Sequence, residues 1–209
     1  MADIHPLLKV NKLGLRRSER WLFRDLNFQL NTNEVVHITG ENGIGKTSLL
    51  RCLCGLLSAQ EGDITWLEEN DLPLLPLFFG HAPTVKPELT VLENLLLHPL
   101  NRQYYTEAVW EEALHTVGLG NYLDAMAKNL SAGQTRRVAL ARLLVSDAKC
   151  WILDEPFTAL DVTACKWLSE VISDYASKGG SVLMTSHQPV VMSADVKVME
   201  IKKDMSNYA

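Results

Sequence analysis

The sequence predicts an α/β protein with a mostly parallel sheet core, an antiparallel β flank and an inserted helical region. Three observations point there. Beyond residue 35, apolar runs that end in glycine or acidic turns alternate with helix-period segments, as parallel strands and their crossover helices do. Residues 21–30, Trp-Leu-Phe-Arg-Asp-Leu-Asn-Phe-Gln-Leu, instead alternate with a period near two, the pattern of a half-buried strand. Roughly residues 87–146 carry helix periods and helix-start signals, and read as a helical insertion between sheet strands within one domain spanning the chain.

Taken in order, Leu8-Lys9-Val10 and residues 21–30 are strands of a small antiparallel sheet, with Arg16, Arg17 and Arg20 in a solvated turn. Val35-Val36-His37-Ile38-Thr39 is a strand, and Ser48-Leu49-Leu50-Arg51-Cys52-Leu53 opens the helix that follows it. Gln60-Glu61-Gly62-Asp63 reads as a turn, Ile64-Thr65-Trp66-Leu67 as a short strand, and residues 74–79 as a strand returning to the core. Thr90 and Glu93 have capping-box spacing ahead of Leu95, Leu96 and Leu97, in a helix that Pro99 should stop. A second helix is expected from about residue 106 to 117, with Val109, Trp110, Ala113, Leu114 and Val117 on one face. Ser131 and Gln134 repeat the capping-box spacing before a helix through Val138, Ala141, Arg142 and Val145. Cys150-Trp151-Ile152-Leu153-Asp154-Glu155 is a buried strand ending in two acids. Asp161 caps the next helix, Gly179-Gly180 breaks it, and Ser181-Val182-Leu183-Met184-Thr185 is the following strand.

Composition excludes several classes. At 209 residues, 47% hydrophobic and 22% charged, the chain can bury a sizeable core, so disorder does not dominate. A formal charge of −5 gives no basic stripe for nucleic acid. Cys52, Cys54, Cys150 and Cys165 have no metal-ligand spacing and sit in apolar contexts, as reduced core thiols of a cytosolic protein do. Met1-Ala2-Asp3-Ile4-His5-Pro6 lacks the basic and apolar regions of a secretory signal. No apolar run approaches the roughly 18 residues of a membrane span, and the richest, residues 72–79, is broken by Pro73 and Pro76. A role at a membrane would need another protein to cross it.

The chemistry concentrates in Gly40-Glu41-Asn42-Gly43-Ile44-Gly45-Lys46-Thr47, a complete G-x-x-x-x-G-K-[ST] phosphate loop between a strand and a helix that continues with Ser48. Its glycines let several backbone N–H groups converge on one anion, and the helix N-terminus adds about half a positive charge. Lys46 is placed to reach the β- and γ-phosphates of a nucleotide, and the Thr47 hydroxyl to ligate Mg²⁺. Asp154, at the carboxyl end of its strand, is positioned to hold Mg²⁺ through water. Glu155 beside it is a candidate general base toward water attacking the γ-phosphate. His187 follows a strand end, where an imidazole can orient a γ-phosphate.

Leu130-Ser131-Ala132-Gly133-Gln134 resembles the Leu-Ser-Gly-Gly-Gln signature of the ATP-binding-cassette (ABC) ATPases, with Ala132 as the departure. Phosphate loop, helical insertion, signature, acidic strand, the turn Thr158-Ala159-Leu160-Asp161 and His187 follow in that family's order over essentially the whole chain. The resemblance implies the ABC-type phosphate-loop NTPase fold. It implies ATP and Mg²⁺ at the loop, Glu155 as base and His187 as switch. It further implies a head-to-tail homodimer, in which Ser131, Ala132, Gly133 and Gln134 of each copy close on the ATP held by the other. The wording between motifs, including Gly80-His81-Ala82-Pro83 and Arg136-Arg137-Val138-Ala139-Leu140-Ala141-Arg142-Leu143, is similar to the haem-exporter ATPases of bacterial cytochrome c maturation, which are likewise short. That narrower likeness implies separate integral membrane subunits docking near residues 78–100 and a peripheral place on the cytoplasmic face of the inner membrane. It also implies haem export or release of a haem-loaded chaperone, and the acidic balance of the chain argues separately against a nucleic-acid partner.

Two departures stand out. Where many members carry a glutamine about nine residues before Thr90, this chain has His81 followed by Ala82. The aromatic that stacks on adenine is missing, since Leu15, Arg16 and Arg17 occupy its region, leaving Trp21 or an arginine face to substitute. Other ABC transporters are an alternative home for the chain. A soluble ATP-driven clamp on DNA or ribosomes is disfavoured by the absence of coiled-coil arms, a second cassette or a basic surface, and a small-molecule kinase has no use for residues 130–134.

Overall fold

The computed structural model of the chain describes residues 5–69, 72–98, 105–187 and 191–202. The chain divides into two compact units: Met1–Phe78 with Ala148–Pro156 and Lys166–Ala209, and Phe79–Asp147 with Phe157–Cys165.

In the first unit, β1 (Pro6–Arg17), β2 (Arg20–Asn31) and β4 (Glu61–Trp66) form an antiparallel sheet ordered β2-β1-β4. The arginine cluster marks its hairpin, where Arg17 pairs with Arg20 and Arg16 with Trp21. The structure corrects one element here: Glu61, Gly62 and Asp63 open strand β4 rather than form a turn. Gly62 lies at φ 79°, and a Cβ there would sit 2.3 Å from the Asn11 and Lys12 carbonyl oxygens. That close backbone approach belongs to a register shift between Asn11 and Gly14, a bulge that leaves a turn-like residue inside a strand.

The second sheet is ordered β10-β3-β9-β8-β7, from Val196–Glu200, Val35–Thr39, Ser181–Thr185, Cys150–Asp154 and Leu77–Phe79 respectively. The pairs β10/β3, β3/β9 and β8/β9 are parallel. Strands β8 and β9 are buried along their whole length, which is why both read as unbroken apolar runs. Strand β10 is an addition to the elements expected from sequence, as is a two-residue pairing of β5 (Glu68–Glu69) with β6 (Leu72–Pro73). Residues 74–79 contribute the shorter β7. Helix α1 (Lys46–Leu53) buries Leu49, Leu50, Cys52 and Leu53 in a core shared with Leu8, Phe23, Ile38, Ile152 and Leu183. The Trp66 indole N–H donates to the Leu53 carbonyl at 3.0 Å, tying the end of α1 to β4.

The second unit is helical: α2 (Glu93–Leu96), α3 (Glu107–Thr116) and α4 (Ala132–Val145), with α5 (Val162–Ser177) beginning in it. Thr90 and Glu93 form the expected reciprocal cap, Thr90 N–H to Glu93 Oε2 at 2.8 Å and Glu93 N–H to Thr90 Oγ1 at 3.1 Å. Helix α2 ends before Pro99, which lies outside the described residues. Helix α4 is buried on most of its faces, including Arg136 and Arg142.

Those two arginines, whose partners sequence alone did not assign, close on one loop. Arg136 donates to the His81 carbonyl at 2.6 Å and lies 4.4 Å over the Phe79 ring. Arg142 donates to Pro83 O at 3.1 Å, Thr84 Oγ1 at 3.0 Å and Thr84 O at 3.2 Å. The helix carrying residues 131–134 thus grips the segment carrying His81.

Among the described residues, no helix is long and apolar enough to cross a membrane.

Candidate active site

The glycine loop lies between β3 and α1. Gly40, Gly43 and Gly45 all have positive φ, at 142°, 78° and 111°. Gly45 is the N-cap of α1, and a Cβ there would press 3.1 Å from Leu22 and 3.3 Å from Phe23, so only glycine lets the loop pass over β2. The Lys46 ammonium donates to the carbonyls of Gly40 at 2.8 Å and Glu41 at 3.1 Å. These bonds fold the side chain back across its own loop, holding a positive charge where the N-terminus of α1 also points.

Strand β8 delivers Asp154 and Glu155 to the same place. Thr47 Oγ1 donates to Asp154 Oδ1 at 3.0 Å, and the Thr185 hydroxyl donates to that same oxygen at 3.0 Å. Glu155 has φ 55°, uncommon for a residue with a side chain, and its N–H donates to Thr185 Oγ1 at 3.0 Å. The Glu155 carboxylate accepts from the His187 N–H at 3.1 Å, and His187 Nε2 lies 3.3 Å from its other oxygen. His37 on β3 adds a contact from Nε2 to the Ser186 carbonyl at 3.3 Å. Asp154 and Glu155 are 1% and 8% exposed, which puts two acids in a place where acids rarely sit without a task.

Thr47 and Asp154 offer hard oxygen donors meeting at one point, the set that suits Mg²⁺, which takes few protein ligands and keeps water and phosphate oxygens for the rest. The residues present therefore fit that ion. The described residues contain no group of three or more His, Cys, Asp or Glu side chains arranged for a metal. The thiols are no substitute: burial pushes Cys54 up to about 12, and raises Cys150, Cys52 and Cys165 as well.

Ser131, Ala132, Gly133 and Gln134 belong to the second unit. Ser131 caps α4, accepting from Gln134 N–H at 3.2 Å, while Gln134 Oε1 accepts from the Ser131 N–H at 2.9 Å. A Cβ on Gly133 would stand 3.2 Å from the Ala159 carbonyl, and Arg137 holds Asp161 at 2.6 Å, so the signature and the turn before α5 are built as one piece. His81 and Ala82 are both exposed. Trp21, the aromatic candidate for stacking on a base, is itself covered: the Arg24 guanidinium lies 4.4 Å over its ring and is held by Glu61.

The ABC transporter family model matches residues 23–158. The chain belongs to the ABC transporter family. Its curated relatives in that family include the cytochrome c biogenesis ATP-binding export protein CcmA of Aliivibrio fischeri, 44% identical over 207 residues, covering 94% of this chain and 98% of the relative. The protein of the same name from Hahella chejuensis is 40% identical, over 96% of this chain and 98% of its own length. Among solved ABC structures, a putative ABC transporter (ATP-binding protein) from Pyrococcus furiosus is 25% identical with a TM-score of 0.77, covering 92% of this chain and 96% of that one. A dimeric ATP-binding cassette in a post-hydrolysis state, bound to ADP and Pi, also reaches 0.77 at 22% identity, over 93% and 94% of the two chains, a likeness of fold. The chain is therefore a nucleotide-binding ABC cassette of α/β phosphate-loop fold.

Thr185 is the site residue that sequence reasoning misses. Only the register of β8 on β9, with Asp154 opposite Thr185, brings it to the acids.

Proposed function

We propose that the chain is the ATP-hydrolysing subunit of a membrane export complex serving bacterial cytochrome c biogenesis, with haem, or a chaperone carrying haem, as the cargo set free. The observation that carries the hydrolytic reading is the continuous network from Thr47 through Asp154 and Thr185 to Glu155 beside the glycine loop. The 44% identity to a cytochrome c biogenesis export protein over 94% of the chain supports the process.

Residues Gly40 to Ser48 bind the triphosphate, with Lys46 and the N-terminus of α1 offsetting its charge. Thr47 directly and Asp154 through water would hold Mg²⁺, which when bound neutralises charge on the phosphate oxygens. Glu155 accepts a proton from the water that attacks the γ-phosphorus, while the bond from that phosphorus to the bridging oxygen breaks and ADP departs. His187 fixes the Glu155 carboxylate and faces the transferred phosphoryl group. The Ser131 end of α4, with Ala132, Gly133 and Gln134, closes on the γ-phosphate of a second copy, so two chains sandwich two ATP molecules. Separate integral membrane subunits dock near residues 78–100, holding the cassette at the cytoplasmic face of the inner membrane.

E155Q tests this assembly, because it keeps the shape of the site and removes the base. With ATP and Mg²⁺ the variant is expected to turn over at least about a hundredfold more slowly and to elute as a dimer that ADP does not support. Nucleotide-bound monomer under both conditions would overturn the sandwich. Parent-like turnover would overturn the assignment of Glu155.

A further inference from the structure

Thr185 stands between the two acids in a way that neither neighbouring strand requires for its own pairing. Its side chain is completely buried. Its hydroxyl proton goes to Asp154 Oδ1, the oxygen that also accepts from Thr47, and its lone pair receives the N–H of Glu155, each at 3.0 Å. A carboxylate only accepts and a backbone N–H only donates, so the group joining them must do both, and a hydroxyl is the smallest that does. The two partners also fix the direction of the hydroxyl, leaving it no alternative orientation.

We propose that Thr185 is a positioning residue for ATP hydrolysis, aligning the Asp154 carboxylate with Thr47 and locking the peptide from which Glu155 projects. The inference rests on the hydrolytic reading of this site. Glu155 needs the lock because its φ of 55° lies in the left-handed region that a residue with a Cβ seldom adopts unless its surroundings impose it. The imposition comes from both ends: Thr185 holds the N–H, and the His187 N–H holds the carboxylate. His37 in turn bonds the carbonyl of Ser186, the residue between Thr185 and His187. Removing the Thr185 hydroxyl frees the peptide while every charged group stays in the chain.

T185A and T185S form the test, since both lose the methyl group and they differ only in the hydroxyl. Turnover, ATP binding in EDTA and with Mg²⁺, and a thermal melt are measured on the full chain. T185S is expected to keep kcat within about threefold of the parent, whereas T185A loses about ten- to a hundredfold in kcat with KM for ATP changed less than about threefold, the pattern of a misplaced catalytic group. T185A should bind ATP in EDTA as the parent does and gain less affinity on adding Mg²⁺. If T185A melts below the assay temperature, T185V, which keeps the volume, takes its place with the same expectations. Parent-like kcat in the variant lacking the hydroxyl, an equal loss in T185S, or loss of ATP binding in EDTA would each overturn the inference. A parent chain that does not hydrolyse ATP defeats the hydrolytic reading itself, which this design separates from a failure of Thr185 alone.

Discussion

His187 and Glu155 meet twice: the His187 N–H donates to Glu155 Oε2 at 3.1 Å, and its Nε2 stands 3.3 Å from Oε1. One contact is made by backbone and survives any substitution but proline, while the other is made by the ring. The Glu155 side chain is 11% exposed and the His187 side chain 60%, so the ring closes the carboxylate off from one side and still faces solvent on the other. A group arranged that way can hold the carboxylate and reach a phosphate at the same time.

H187A therefore removes the ring contact and keeps the amide contact. We expect ATP binding within about threefold of the parent and kcat lower by about ten- to a hundredfold, less than the loss in E155Q, because the base remains partly anchored. Steady-state kinetics with equilibrium nucleotide binding checks this. A loss of binding equal to the loss of turnover would place His187 in ground-state binding instead.

K46A addresses the phosphate loop. Among the described residues, the Lys46 ammonium bonds only carbonyls of its own loop, at Gly40 and Glu41, so the folded core does not depend on it. The variant should melt within a few degrees of the parent and lose at least about a hundredfold in turnover, the scale of removing one charge aimed at developing phosphate charge. A melt and an ATPase assay on the same preparation test both halves. Near-normal turnover would remove the loop from the mechanism.

His98 supplies a pH prediction for the helical unit. Partial burial, and then the charges of Arg142 and Lys86, lower its pKa to about 4, so it is neutral in the folded chain at pH 7. The unfolded chain regains the ordinary value near 6.5 and binds a proton first as pH falls. The stability this group contributes is thus fully present above about pH 6.5 and is lost on the way down to about 4. Because the ring is only half-buried, solvent screening reduces the effect to on the order of 1 kcal/mol. Denaturant unfolding at pH 7 and pH 5 should show a smaller decrease for H98Q than for the parent. Equal decreases in the two chains would refute the assignment.

Much of the fold and site is legible in the sequence wherever structure depends on near neighbours. The glycine loop, both capping boxes and the apolar strands ending in Asp154 and Thr185 are local patterns, in which residues a few positions apart satisfy one another. Helix α3 occupies Glu107–Thr116, close to its expected span, because its apolar period is regular. The identity of the family was legible for the same reason, since its motifs are short and lie in order along the chain.

Other features depend on which residues meet across the fold, and these only the tertiary structure decides. Glu61, Gly62 and Asp63 carry turn chemistry, yet pairing with β1 across a bulge draws them into a strand. Arg136 and Arg142 gain their partners only when α4 is buried and the carbonyls of His81, Pro83 and Thr84 receive them. Thr185 has the type of any strand residue, and a shift of one position on β8 would turn its hydroxyl away from Asp154. Composition and spacing fix which chemical groups the chain owns. Register and burial fix which of them share a proton.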